Sequence, residues 1–153
     1  MSSEEPAAKA RNWKEEFGRR IAGTMIAAHG TIFREVSPDH AILELPFKPA
    51  LAQMTGIFHA GAILALADEA CTALAAAFVM GDGEWDPAKF PLTIQLSANL
   101  IRNTDRGKLI AEARPVHRGR TTAVVQTEVK DEAGRMIAVV TATLVIPSPK
   151  PSP

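Results

Sequence analysis

The chain has 153 residues, 46% of them hydrophobic and 22% charged, the size and make-up of one globular domain with enough apolar surface for a core. Seventeen Lys and Arg balance seventeen Asp and Glu, which excludes a global field for nucleic acid or an anionic membrane. The single Cys71 excludes an internal disulfide and any zinc site built from cysteines.

The opening "MSSEEPAAKA" has early acids and no apolar run, unlike a signal peptide. A cytoplasmic protein is expected, with residues 1–8 disordered, 9–146 forming one domain and the proline-rich 147–153 a flexible tail. Over 11–28, Trp13, Phe17, Ile21 and Met25 recur every four residues, which predicts one amphipathic helix ended by Gly30. "TIFREV" (31–36) and "AILELPF" (41–47), separated by "SPDH", read as a hairpin turning at Pro38 and Asp39.

From Gly56 to about Met80 the Ala and Leu content predicts a long helix, and "GDGEWDPAKFP" (81–91) a loop. In 92–102, Ile94, Leu96, Ala98 and Leu100 alternate with polar residues as in a half-buried strand. Three more strands are expected at 108–117, 121–130 and 135–146. A helix apolar on nearly every side must be covered on nearly every side. The predicted fold is therefore α+β: a six-stranded antiparallel sheet curled around the long central helix, the hotdog shape, with a short helix in front.

That central helix, "HAGAILALADEACTALAAAF" (59–78), carries two acids in an apolar setting. A carboxylate buried without partners usually protonates or is paired, so Asp68 requires an explanation. Thr72 lies one turn after it on the same face, where a hydroxyl could orient the carboxylate. Glu69 is rotated by about 100° and is expected to be the solvated acid of the two. Upstream, "QMTGIFHAG" (53–61) places Gln53 and His59 at the helix start, with Ala60 and Gly61 small enough for a substrate to approach the backbone. Unpaired N–H groups there suit an oxygen that gains negative charge during acyl transfer. His59 and Asp68 are nine residues apart, roughly 13 Å along one helix, too far to act on one carbonyl. If they act together, the site is composed from two chains related by a two-fold axis.

This arrangement, Q-x5-HAG-x6-DEACT within that order of elements, resembles the hotdog acyl-CoA thioesterases of the PaaI-type group over about residues 30–146. The resemblance implies that Asp68 is nucleophile or general base, that Gln53 and His59 occupy the family's polar positions, and that the Ala60 N–H polarises the thioester carbonyl. The family usually has glycine where Ala60 stands. Thr72 matches a helix hydroxyl in one branch of the family, and Thr93 a hydroxyl on the following strand in another.

Between 102 and 120, six Lys or Arg face two acids. The phosphates of CoA, which is part of the substrate and not a cofactor, are expected at Arg102, Arg118 or Arg120, with Gly119 in the "RGR" turn. The acyl pocket is expected among Met54, Phe58, Phe78 and the loop holding Trp85. The partners implied are an acyl-CoA and a second copy of the chain, in a dimer or tetramer, with no nucleic acid, membrane or metal. A non-catalytic acyl-CoA-binding module and a hotdog hydratase are the competing readings.

Overall fold

A computed structural model describes residues 10–148. The segment 1–8 and residues 149–153 of the tail lie outside the described residues. Asn12 starts α1 (Trp13–Gly18) by accepting the Glu15 N–H at 3.2 Å. Thr24 caps α2 (Met25–His29), and Gly30 ends it in the left-handed conformation at φ 87°.

The single helix expected over 11–28 is thus two short helices. Gly23 turns the chain at φ 76°, and Thr24 restarts it as an N-cap, so the four-residue stripe does not stay on one face. Trp13 and Phe17 enter the core while Met25 is 62% exposed. The Phe17 ring stacks on Phe33 at 5.6 Å and meets Trp85 edge-on at 5.8 Å. The Trp13 indole N–H donates to the Gly81 carbonyl at 3.1 Å, tying α1 to the end of the long helix.

The expected hairpin is present as β1 (Ile32–Val36) and β2 (Ala41–Pro46), its turn held by the Ser37 hydroxyl, which accepts the His40 N–H at 3.1 Å. The long helix α3 spans Ala60–Met80, four residues shorter than expected at its start. There the chain makes a tight turn, closed by the Gly56 N–H donating to the Gln53 carbonyl at 2.9 Å, with Gly56 at φ 89°. His59 follows in an extended conformation as the N-cap.

β3 (Leu92–Leu100), β4 (Lys108–Arg118), β5 (Thr122–Asp131) and β6 (Met136–Val145) complete one antiparallel sheet in the order β1-β2-β4-β5-β6-β3. The sheet wraps α3, on which Ile63, Leu66, Ala67, Ala70 and Leu74 are fully buried. Facing them are Leu43, Leu109, Val125, Val140 and Leu144. This is the hotdog fold. By length and composition alone α3 is apolar enough to cross a membrane, and here its apolar sides are the core.

One strand departs from expectation. β3 is an edge strand, and its alternating residues are not half-buried: Ile94 is 63% and Leu96 39% exposed. Only Thr93 is partly covered, beside a register shift against β6 between Thr93 and Gln95 that kinks the strand there.

Because Phe17 joins α1 to both β1 and the loop before β3, Phe17→Ala is expected to cost about 3–5 kcal/mol of unfolding free energy. Urea denaturation at fixed protein concentration measures it; a loss below about 1 kcal/mol would show that α1 is not part of the core.

Candidate active site

The helix start is organised by its own cap. His59 Nδ1 accepts the Gly61 N–H at 2.8 Å, so Nδ1 carries no proton and the neutral ring keeps its hydrogen on Nε2. A Cβ on residue 61 would come within 3.0 Å of that Nδ1, which explains the glycine. With the Gly61 donor engaged, the Ala60 N–H is left without a hydrogen bond among the described residues. The cap is anchored from outside: Phe58 donates its N–H to the Thr104 carbonyl at 3.1 Å, and the Asn103 amide donates to the Phe58 carbonyl at 2.8 Å. Sequence reasoning passed over Asn103, because a lone asparagine in a polar turn carries no distinguishing pattern. Gln53 sits in the preceding turn with its amide bonded to the Thr55 hydroxyl, and its Oε1 accepts the Thr55 N–H at 3.2 Å.

Eight residues into α3, half-buried Asp68 accepts a hydrogen bond from the Thr93 hydroxyl, 2.6 Å from Oδ1. Thr72 Oγ1 lies 3.5 Å from Thr93 Oγ1. Of the two threonines, then, Thr93 touches the carboxylate, delivered by the kinked start of β3. Asp68, Thr72 and Thr93 share a cleft of about 460 Å³. Its other walls are mostly apolar, with Phe17, Met25, Ile26, Phe33, Phe90 and Leu92 prominent.

That lining differs from the expected one. Met54 projects fully into solvent and Phe58 is fully buried in the core. Phe78 lies near the far end of α3, beneath Arg118. Trp85 reaches the cleft only through its contacts with Phe17 and Phe90. The apolar wall comes from α1, α2 and β1, and from Phe90 and Pro91 of the 81–91 loop, which was expected to contribute, with Leu92 of β3.

Glu69 is not the solvated acid of the pair. Its side chain is 9% exposed and lines the same cleft, with Oε1 3.6 Å from His29 Nδ1. Burial pushes its carboxyl up to about 7, with the Asp68 charge adding to the rise and Thr31 opposing it. Cys71 is fully buried against the Thr127 hydroxyl, and burial pushes its thiol up to about 12, which leaves no thiolate for nucleophilic attack. Among the described residues no group of three or more His, Cys, Asp or Glu side chains is placed to hold a metal ion.

The basic residues divide between the two ends of α3. Arg102 is exposed beside Asn103, near the helix start. Arg118 pairs with Asp39 and lies over the Phe78 ring in the last turns. Gly119 makes the turn to Arg120 with its N–H on the Thr122 carbonyl, where a Cβ would come within 2.7 Å of that oxygen. Eighteen residues of helix separate Ala60 from Phe78, roughly 27 Å. Within one chain, Arg102 and the Arg118–Arg120 turn do not meet.

A family model described as the thioesterase superfamily matches residues 55–138. The chain belongs to that superfamily. It is 25% identical over 114 residues to the 1,4-dihydroxy-2-naphthoyl-CoA hydrolase of Escherichia coli K12, covering 74% of this chain and 79% of that protein. The fold is similar to that of thioesterase HI1161 from Haemophilus influenzae, with a TM-score of 0.77 at 21% identity over 89% of this chain and 94% of the other. It is also similar to a hypothetical thioesterase protein from Streptococcus pneumoniae solved with coenzyme A, with a TM-score of 0.67 at 19% identity over 76% and 87% of the two chains.

A carboxyl whose folded pKa lies above its unfolded value supports folding fully below the unfolded value, and that support is lost as pH rises through the folded one. For Glu69 the window runs from 4.5 to about 7. Wild type is therefore expected to lose on the order of 3 kcal/mol relative to Glu69→Gln between pH 4.5 and pH 8. Parallel urea titrations of the two proteins test this, and equal pH dependence would show that the acid is solvated.

Proposed function

We propose that the protein hydrolyses acyl-CoA thioesters to free CoA and a carboxylic acid, at composite sites formed by two protomers. The observation that carries this reading is the separation of two complementary groups on one helix. Asp68 is oriented by Thr93 inside a cleft, and the free Ala60 N–H lies eight residues away, about 12 Å along the axis. Neither alone performs acyl transfer, and one chain does not bring them together.

A second copy can. The edge strand β3 exposes Leu92, Ile94, Leu96 and Leu100 together with its unpaired backbone edge, a surface that soluble chains normally cover. Pairing two copies along β3 would set two α3 helices side by side, the middle of one facing the start of the other. The substrate carbonyl then rests on the partner's Ala60 N–H, with Gln53 and His59 close by. Asp68 either takes a proton from a water that attacks the carbonyl carbon, or attacks that carbon itself to form a mixed anhydride that water then hydrolyses; in both routes the C–S bond breaks, the CoA sulfur leaves as a thiolate, and the water supplies the oxygen of the acid and the proton that the thiol gains. The step needs no separate cofactor. Dimers joining into a tetramer and a cytoplasmic location complete the reading, with 9–146 as its single domain.

CoA phosphates are assigned to Arg102 or to the Arg118–Arg120 turn. Arg118 has to leave Asp39 to take part, whereas Arg102 is exposed and forms no salt bridge among the described residues. The resemblance to acyl-CoA thioesterases and the names of the relatives support the substrate class. A hotdog hydratase is disfavoured because no histidine follows Asp68 on α3.

CoA release from short, medium, long-chain and aryl acyl-CoA thioesters tests the activity. Asp68→Asn is expected to lower kcat by at least about a thousandfold while acyl-CoA still binds. Comparable turnover in the variant would sink the assignment, and binding without turnover by wild type would establish a binding module instead.

The composite site has its own test. His59 has φ −64° and ψ 137°, the conformation a following proline requires, so Ala60→Pro removes the donor while keeping the helix start. Loss of one such donor is expected to lower kcat by about 10²–10³-fold. Co-refolding Ala60→Pro with Asp68→Asn leaves one intact site in each mixed dimer, so about a quarter of wild-type activity returns. No recovery in mixtures shown to contain heterodimers would place the whole site within one chain.

A further inference from the structure

The Ala60 N–H is aimed by contacts that begin outside the helix. Only the φ and ψ of His59 separate it from the peptide unit that joins Phe58 to His59. The His59 ring, capping Gly61, holds those torsions at −64° and 137°. The direction of the donor then depends on how firmly the Phe58–His59 peptide is held. Its N–H donates to the Leu51 carbonyl at 2.8 Å, and its carbonyl accepts the Asn103 side-chain amide at 2.8 Å.

The first tie comes from the backbone of the preceding turn, and the second crosses from the segment after β3. The Asn103 amide has a single orientation: Oδ1 accepts the Thr104 N–H at 2.7 Å, so the NH2 end faces the Phe58 carbonyl. The ring of contacts closes where the Phe58 N–H donates to the Thr104 carbonyl at 3.1 Å.

We infer that Asn103 is a positioning residue for thioester hydrolysis, its side-chain amide holding the Phe58–His59 peptide so that the Ala60 N–H meets the substrate oxygen. The inference rests on the proposed hydrolysis and deepens it; Asn103 acts through Ala60 and does not touch the substrate. Its exposure favours a directing role over a stabilising one. Without the amide, water could satisfy the Phe58 carbonyl, and the Phe58 bond to Thr104 would still join the two segments. Water satisfies a carbonyl without fixing the plane of its peptide. Donors to an oxyanion work because they are aimed before the charge develops, and their supports must hold them to within about 0.5 Å. β3 reaches both halves of this chemistry: Thr93 near its start bonds Asp68, and Asn103 stands three residues past its end at Leu100.

CoA release is measured for wild type, Asn103→Ala and Asn103→Asp, and for both changes combined with Ala60→Pro. Asn103→Asp preserves size and the acceptor for the Thr104 N–H, but sets an oxygen against the Phe58 carbonyl. Each single variant is expected to lower kcat about tenfold, less than loss of the donor itself, with KM within about twofold of wild type. With Ala60→Pro no donor remains to be aimed, so the same changes are expected to cost less than about twofold. Wild-type kcat in Asn103→Asp would assign the residue to the shape of its turn, and an equal loss with and without Ala60→Pro would make it structural. Either result overturns the inference.

A second readout needs no turnover. The Ala60 amide signal, identified by its absence from the alanine-labelled spectrum of Ala60→Gly, is followed by NMR as acyl-CoA is added to saturation. Wild type is expected to show a shift and Asn103→Ala less than about half of it. No shift in wild type, or an equal one in the variant, overturns the role of Asn103. If wild type releases no CoA from any thioester, the hydrolase reading fails, and this comparison still decides whether Asn103 aims the donor.

Discussion

An apolar helix that must be covered on nearly every side constrains everything else in this protein. Ile63, Leu66, Ala67, Ala70 and Leu74 form one fully buried stripe of α3, and Ala62, Cys71, Ala75 and Ala76 extend the buried surface to its other sides, so the sheet curls around it. Alanine at so many positions lets strands approach the helix closely. The wrapping is incomplete in two places. The helix start emerges at His59, where Ala60 and Gly61 are exposed, and the face bearing Asp68 and Glu69 opens into the cleft.

These two openings have different electrostatic characters. At the start, backbone N–H groups offer partial positive charge, and His59 consumes one of them, the Gly61 donor, to hold its own ring in a single tautomer. What remains is the Ala60 N–H. In the cleft, two carboxyls sit side by side in unlike surroundings: Asp68 receives a hydroxyl from Thr93, whereas Glu69 has burial with little compensation. Adjacent acids with divergent environments are a recurrent way of assigning different tasks to chemically similar groups. The rigid length of α3 keeps the two openings about 12 Å apart. The uncovered β3 edge lies beside Thr93, so the same strand that orients Asp68 also carries the apolar surface that association would bury.

Departures from the family pattern gain physical content from these contacts. Alanine in place of glycine at position 60 keeps the N–H and adds a methyl group at an exposed residue. Glycine at 61 is retained because the His59 ring occupies the volume a Cβ would need. Glycine at 119 serves the β4–β5 turn in the same steric way, independently of any phosphate.

Much of this was legible in the sequence because it depends on local periodicity. The hairpin, the long helix, the strand boundaries and the hotdog wrapping follow from apolar spacing and turn residues. The α1–α2 break was missed because a stripe at Trp13, Phe17, Ile21 and Met25 fits a helix whether or not Gly23 and Thr24 interrupt it; only the packing of Phe17 against Phe33 and Trp85 decides between them. That α1, α2 and β1 wall the cleft beside Asp68 was likewise not legible in local spacing. Which threonine touches Asp68 depended on a strand kink, and the burial of Glu69 on the approach of α2 and Thr31, contacts between segments distant in sequence. Periodicity determines which face of an element is apolar; what comes to lie against that face is decided only when the sheet closes around the helix.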